Sequence, residues 1–256
     1  MKKITIQNIK NFKQLKHPFA TLTAYDFYTA QIVDEANIPL VLVGDSASMT
    51  IYGYDTTVPI SMEEMLLVIK AVMRGIKHAL VVADMPFLSY QPSVEETIKN
   101  AGLLMKEGGA NAVKLEGGEN IANNIKALIS AGIPVLGHIG LMPQSINQTS
   151  GYKIQGKTDT DAAQILKDAK AVEASGAFGV VLECIPEALA TQITRELSIP
   201  TIGIGSGNTC DGQIQVFHDI IGLTKNKPPK HAKQYANLYT TILDLVKQYQ
   251  TDINKS

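Results

Sequence analysis

The stretch AVKLEGG, residues 112–118, decides the fold. It opens as an apolar strand, carries Lys114 and Glu116 two residues apart, and stops on Gly117 and Gly118. Residues two apart on a β-strand point to the same face. A cation and a carboxylate therefore share one face at the end of a strand that is otherwise apolar.

The same pattern recurs along the chain. A short apolar run ends in polar or glycine residues, and a helix-length segment follows. The runs are 20–23 (ATLT), 40–43 (LVLV), 80–83 (LVVA), 112–115 (AVKL), 134–137 (PVLG), 179–182 (GVVL), 201–204 (TIGI) and 214–217 (IQVF). Their continuous hydrophobicity fits strands covered on both faces, as in parallel sheets. Between them lie helix signals. Ser61 and Ser93 are each followed three residues later by Glu, a capping-box pattern. Gly108-Gly109 closes the helix that Ser93 opens, and Gly176 ends one capped by Thr160 or Asp161. Pro186 suits a first helical position, and a last helix is expected over 232–248.

Alternating β and α segments leave two architectures, an open doubly wound sheet or a (βα)8 barrel. Eight runs without a break in composition favour a single (βα)8 TIM barrel domain over residues 1–256. The segment 5–15 precedes the first strand and is expected to form an extra N-terminal helix closing the barrel bottom. Two long insertions, 47–60 and 141–158, follow strands two and five. Long loops in a compact domain are commonly functional.

Composition excludes several classes of partner. The 256 residues carry a net charge of −1, and the basic clusters Lys2-Lys3 and Lys225-Asn226-Lys227 are small. Binding to nucleic acid needs clustered cations, so no nucleic-acid partner is expected. No apolar run approaches membrane-spanning length. Polar residues follow Met1-Lys2-Lys3 where a secretory leader needs apolar ones, so a cytoplasmic location is expected. Cys184 and Cys210 are too few for a disulfide framework and read as reduced, mostly buried thiols.

Charge collects at the strand ends. Strand two ends in Gly44-Asp45-Ser46, strand three in Asp84, strand four in Lys114 and Glu116, strand five in His138 and strand six in Glu183. In a barrel these ends converge on the face where active sites are built. Asp45, Asp84 and Glu116 together would repel and raise one another's pKa values, and Lys114 offsets one charge only. A hard divalent cation resolves this, and Mg2+ suits carboxylates with water and substrate oxygens. Zinc suits the set less well. The plainer alternative for each acid is a helix N-cap. Glu183 stands apart from the others and reads as a general base, or else as a partner in a structural ion pair. His138 reads equally as a donor to substrate or a satisfied core histidine. The stretch Gly203-Ile204-Gly205-Ser206-Gly207 lacks dinucleotide spacing and reads as tight turns rather than a phosphate loop.

These parts suit one chemistry. A metal holds a 2-oxo acid by its oxygens, a base removes the neighbouring carbon's proton, and the metal stabilises the enolate.

The motifs carry a family resemblance. They are Val43-Gly44-Asp45-Ser46, Asp84-Met85-Pro86-Phe87, Ser89-Tyr90-Gln91 and Val113-Lys114-Leu115-Glu116-Gly117-Gly118. They continue as Gly137-His138-Ile139-Gly140-Leu141, Pro143-Gln144-Ser145, Glu183-Cys184-Ile185-Pro186, Thr201-Ile202-Gly203-Ile204-Gly205 and Cys210-Asp211-Gly212-Gln213. In this order, over residues 20–223, the chain resembles the ketopantoate hydroxymethyltransferase family. The resemblance implies transfer of a hydroxymethyl group from 5,10-methylenetetrahydrofolate to 3-methyl-2-oxobutanoate. The product is 2-dehydropantoate (ketopantoate), for pantothenate and coenzyme A. It implies Mg2+ held by Asp45, Asp84 and Glu116, and oxo-acid contacts from Asp45, Ser46, Asp84 and Lys114. It implies Glu183 as proton acceptor, His138 as a substrate hydrogen-bonding residue, and a cytoplasmic homodecamer. Val68, Met142 and Ser150 depart from the family pattern, and the last two bear on the 141–158 loop. The alternative activity is that of a Mg2+-dependent 2-oxo acid aldolase or lyase on the same barrel.

Overall fold

The computed structural model describes residues 2–149, 151–225 and 228–255; Ser150, Asn226 and Lys227 lie outside the described residues. Eight parallel strands close in chain order into a barrel. They are β1 (Phe19–Thr23), β2 (Leu40–Val43), β3 (Leu80–Asp84), β4 (Ala112–Glu116), β5 (Val135–Gly140), β6 (Gly179–Glu183), β7 (Thr201–Ile204) and β8 (Gly212–Gln215). The helices are α1 (Ile6–Gln14), α2 (Phe27–Glu35), α3 (Ala47–Thr50), α4 (Met62–Gly75), α5 (Val94–Lys106) and α6 (Ala122–Ser130). They continue as α7 (Ile146–Thr149), α8 (Asp159–Ala174), α9 (Glu187–Glu196), α10 (Phe217–Ile221) and α11 (Leu238–Asn254). The chain forms two compact units, Met1–Ile214 and Gln215–Ser256.

In the first unit the barrel expected from eight apolar runs is present. Its interior is one cluster that includes Phe19, Leu40, Leu42, Leu80, Val82, Ala112, Leu136, Val181, Ile202 and Ile214. These positions follow the period-two alternation of strands, which fixes what points inward above them. The residues between them, such as Val41, Val81 and Val113, are also buried. That double burial explains why the strands read as continuous apolar runs. The helix α1 forms where expected, capped by Thr5, and its buried Ile9 joins the interior cluster beside Phe19 and Leu40.

Several boundaries differ from the sequence pattern, each for a local reason. The eighth strand is 212–215 rather than 214–217, because Gly212 and Gln213 pair with Ile202 and Gly203 while Phe217 opens α10. The cap of α8 is Thr158, whose hydroxyl accepts from Asp161 N, so Asp159 and Asp161 fall in its first turn. Acids there suit the positive end of the helix dipole. Ser61 makes a full capping box, whereas Ser93 caps α5 without a return bond from Glu96. Pro186 is the N-cap of α9, one residue before its first turn.

In the second unit, α11 begins at Leu238 rather than near Ala232, because the Asn237 side chain accepts from Thr240 N and caps it there. Gly222 ends α10 in the left-handed conformation, and its carbonyl accepts from Tyr239 N. No residue of α11 is buried, and Leu243, Leu245 and Val246 are exposed on it. Among the described residues no helix is long and apolar enough to cross a membrane.

Candidate active site

Register brings the charged residues together. Above the inward-facing Leu80 and Val82 comes Asp84; above Ala112 come Lys114 and Glu116; above Leu136 comes His138; above Val181 comes Glu183. Asp84 pairs with Lys114 across β3 and β4, and Glu116 pairs with His138 across β4 and β5. Glu183 sits opposite Gly140, two residues beyond His138. Asp45 and Ser46 come from the loop that leaves β2. Gly44, at the inward position before them, leaves the space a side chain would fill. A Cβ there would lie 2.7 Å from Ser46 Oγ and 3.5 Å from Asp84 Oδ2.

The contacts form a chain across the mouth. Lys114 Nζ lies 2.9 Å from Asp84 Oδ1 and 2.9 Å from His138 Nδ1. Glu116 Oε1 lies 3.4 Å from His138 Nδ1 and 3.9 Å from Lys114 Nζ. His138 Nε2 lies 3.1 Å from Glu183 Oε2. Asp45 N donates to Asp84 Oδ2 at 2.9 Å. Ser46 Oγ shares a 2.7 Å hydrogen bond with Tyr25 OH. All seven residues read from the strand ends thus lie together. None of the acids caps a helix; Asp84, Glu116 and Glu183 are strand residues instead. Glu183 does not stand apart, being tied to His138.

The electrostatics split the acids. Burial, then the charges of Asp84 and Glu116, push the Asp45 carboxyl well above the usual range. Burial also raises Asp84, against the pull of Lys114. Glu116 behaves oppositely to the mutual repulsion expected. Burial would raise it, but the adjoining His138 ring, Lys114 and the Gln144 N–H together hold it low. Burial disfavours the Lys114 ammonium, yet the surrounding carboxylates raise its pKa. Burial and Lys114 disfavour a charged His138, while Glu116 and Glu183 draw the ring up to about 9. Contact geometry decides its state here. An ammonium has no lone pair, so at 2.9 Å Nδ1 must accept from it. His138 is then neutral, with its Nε2–H on the side of Glu183.

Two residues of the site have no signal in strand periodicity. Gln144 sits in the one-turn 3-10 helix Pro143–Ser145 after β5. Its N–H donates to Glu116 Oε2 at 3.1 Å, and its Nε2 donates to Asp45 Oδ2 and Met85 O, both at 2.9 Å. Tyr90, from the loop after β3, donates from its hydroxyl to Gln144 Oε1 at 2.9 Å. The motif segments that contain them were the sole sequence cue. Further out, Tyr152 OH contacts Met49 Sδ at 3.8 Å, joining the loop after β5 to α3. Gln155 N donates to Cys184 O, which ties the 141–158 loop to the residue after Glu183. Both cysteines are free; Cys210 is buried, but Cys184 only half so.

The glycines of AVKLEGG answer to their neighbours rather than to the mouth. Gly117 has φ +136, and a Cβ on it would meet Asn120 and Ile121. A Cβ on Gly118 would collide with Asp168 of α8.

The donor set fits a hard cation in part. Among the described residues no three His, Cys, Asp or Glu side chains are gathered closely enough to hold a metal ion by themselves. The Lys114 ammonium sits among the acids. Mg2+, however, needs only one or two carboxylates, with water and substrate oxygens completing its shell. Asp84 and Glu116 each give one oxygen to an N–H, and their other oxygens, Oδ1 and Oε1, are buried and face only the Lys114 ammonium and the His138 ring. Burial, the chief cause of the raised pKa values of Asp45 and Asp84, is a cost that a bound cation would offset.

A family model described as ketopantoate hydroxymethyltransferase matches residues 3–256. The chain is 54% identical over 251 residues to 3-methyl-2-oxobutanoate hydroxymethyltransferase of Dehalococcoides mccartyi, covering 98% of this chain and 89% of that one. It is 51% identical over 255 residues to the Carboxydothermus hydrogenoformans protein of the same name, covering 100% and 92%. Among solved structures it resembles phosphonopyruvate hydrolase in complex with oxalate and Mg2+. The TM-score is 0.65 at 12% identity, covering 100% of this chain and 88% of that one. It also resembles 2,3-dimethylmalate lyase, with TM-score 0.63 at 13% identity, covering 97% and 84%. At such identities the two likenesses concern the fold alone.

Proposed function

The chain belongs to the ketopantoate hydroxymethyltransferase family, and from that premise we propose that it transfers a hydroxymethyl group to 3-methyl-2-oxobutanoate. The donor is 5,10-methylenetetrahydrofolate and the product is 2-dehydropantoate, which serves pantothenate and coenzyme A synthesis. The C3–H bond of the oxo acid breaks, a bond forms between C3 and the donor's methylene carbon, water supplies the hydroxyl oxygen, and tetrahydrofolate leaves.

One observation carries the assignment of roles. The His138 ring stands between Glu183 and the other acids, touching Glu116 on one side and Glu183 on the other. Glu183 is therefore the carboxylate that takes the C3 proton, with His138 Nε2 3.1 Å from its Oε2. Lys114 faces the oxo-acid carboxylate, and Ser46 offers a hydroxyl. Asp45 and Asp84 would hold Mg2+, with Glu116 beside them. When bound, Mg2+ supplies Lewis acidity toward the charge that develops on the substrate's carbonyl oxygen. Burial of Asp84, Lys114 and His138 keeps water from screening these charges.

The enzyme is proposed to work in the cytoplasm as a homodecamer; the exposed apolar residues of α11 support self-association, and light scattering tests the subunit number. The reaction is tested by proton exchange at C3 in heavy water with Mg2+, and by product formation with methylenetetrahydrofolate. Exchange followed by hydroxymethyl transfer is the expected result. Carbon–carbon cleavage of a 2-oxo acid without use of the folate would instead establish a lyase.

A further inference from the structure

Asp45 is the one acid of the mouth that no strand holds. It lies in the loop after β2, where barrel register does not set its position. The Asp45 side chain is held instead by Gln144, whose Nε2 donates to Oδ2 at 2.9 Å. The second proton on that nitrogen goes to Met85 O at 2.9 Å. The amide oxygen accepts from Tyr90 OH at 2.9 Å, and Tyr90 OH accepts in turn from Glu116 N at 3.2 Å. A flipped amide would set its oxygen against the Asp45 carboxylate and a carbonyl, so the amide has one workable orientation. The Gln144 main chain meanwhile holds Glu116 Oε2. Gln144 and Tyr90 are both nearly wholly buried, so no water competes for these bonds.

We infer that Gln144, oriented by Tyr90, is a positioning residue that sets the Asp45 carboxylate relative to Glu116 and thereby tunes divalent-cation affinity. This rests on the proposal that Asp45 and Asp84 hold the cation. Groups that orient metal ligands commonly account for 10–100-fold in affinity. Gln144 touches neither substrate nor reacting atoms in this role.

The test uses Mn2+ as a spin probe on the full-length protein, counting free ion by electron paramagnetic resonance. Melting temperatures are taken without metal. Wild type is expected to bind Mn2+. Gln144→Met keeps the main-chain bond to Glu116 and nearly the side-chain volume, but loses the donor to Asp45. Its dissociation constant should rise about 10–100-fold while the apo protein stays folded. Tyr90→Phe removes the shorter of two bonds to the amide oxygen, leaving the one from Gln91 Nε2 at 3.4 Å, and should raise the constant by a smaller factor. A folded Gln144→Met with wild-type Mn2+ affinity overturns the inference, even if its melting temperature falls, because that is the mark of a merely structural residue. If Gln144→Met does not fold, unchanged affinity in Tyr90→Phe overturns it. Wild type that binds no Mn2+ overturns the cation site and the clamp together; binding with unchanged variants overturns the clamp alone.

Discussion

His138 Nε2 on β5 lies 3.1 Å from Glu183 Oε2 on β6, while the other ring nitrogen faces Lys114 at 2.9 Å. The base is therefore held by a neighbour that is itself held. Residues that act as one unit lose function non-additively. His138→Asn should slow C3 proton exchange by about 10²-fold. Adding it to Glu183→Gln should cost little more than Glu183→Gln alone. Exchange rates of the four proteins in heavy water check this, and losses that multiply would show that the two residues act independently.

Glu183→Gln should separate proton transfer from binding. Glu183 touches His138 and no other acid of the mouth, so its loss leaves Asp45, Asp84 and Lys114 in place. Oxo-acid binding with Mg2+ should persist, and exchange should fall by about 10²–10⁴-fold. Exchange at the wild-type rate would remove Glu183 as the base.

Asp34 predicts an acid-dependent loss of stability. This buried carboxylate on α2 accepts from Ala79 N at 2.8 Å, His78 N at 3.0 Å and Lys77 N at 3.0 Å, fastening the helix to the start of β3. Burial opposes its charge, but these main-chain bonds win and lower its pKa. A lowered folded pKa stabilises above the unfolded value, and the gain vanishes as pH falls through the folded one. Asp34→Asn should cost about 2 kcal/mol at pH 7, and the gap should close below pH ~4. Melting curves of both proteins across pH 3–7 check this; a gap independent of pH would mean that the charge is irrelevant.

The strand ends were legible because each inward polar residue tops an apolar run, and period-two spacing aims it. Asp84, Lys114, Glu116, His138 and Glu183 follow from that rule, and parallel register then makes the first two neighbours. Gln144 and Tyr90 were hidden because they reach the mouth from loops, whose paths periodicity does not encode. The low pKa of Glu116 was hidden as well, since it depends on Gln144 N and on the direction of the His138 ring. The bounds of β8 differ from the apolar run because Phe217 is apolar for α10, while Gly212 and the polar Gln213 do the pairing with β7. The start of α11 was missed because Asn237, an uncounted cap, sets it.

Asp84 carries the most specific prediction about the cation. Its Oδ2 accepts from Asp45 N and its Oδ1 faces Lys114 Nζ at 2.9 Å, so truncation has two separable effects. Asp84→Ala strands a buried ammonium, and breaking such a pair costs about 3–5 kcal/mol. Weak binding by that variant could therefore reflect damage to the fold. Asp84→Asn keeps the shape and an acceptor for Asp45 N, but removes the charge a divalent cation needs. It should remain folded and lose Mg2+-dependent affinity for 3-methyl-2-oxobutanoate by about 10-fold or more. Its Mg2+-independent affinity should change less, because Lys114, relieved of one carboxylate, stays available to the substrate's own. Calorimetric titration with and without Mg2+ reads both quantities. Equal Mg2+ enhancement in wild type and Asp84→Asn would refute Asp84 as a ligand and leave it as the counter-ion of Lys114.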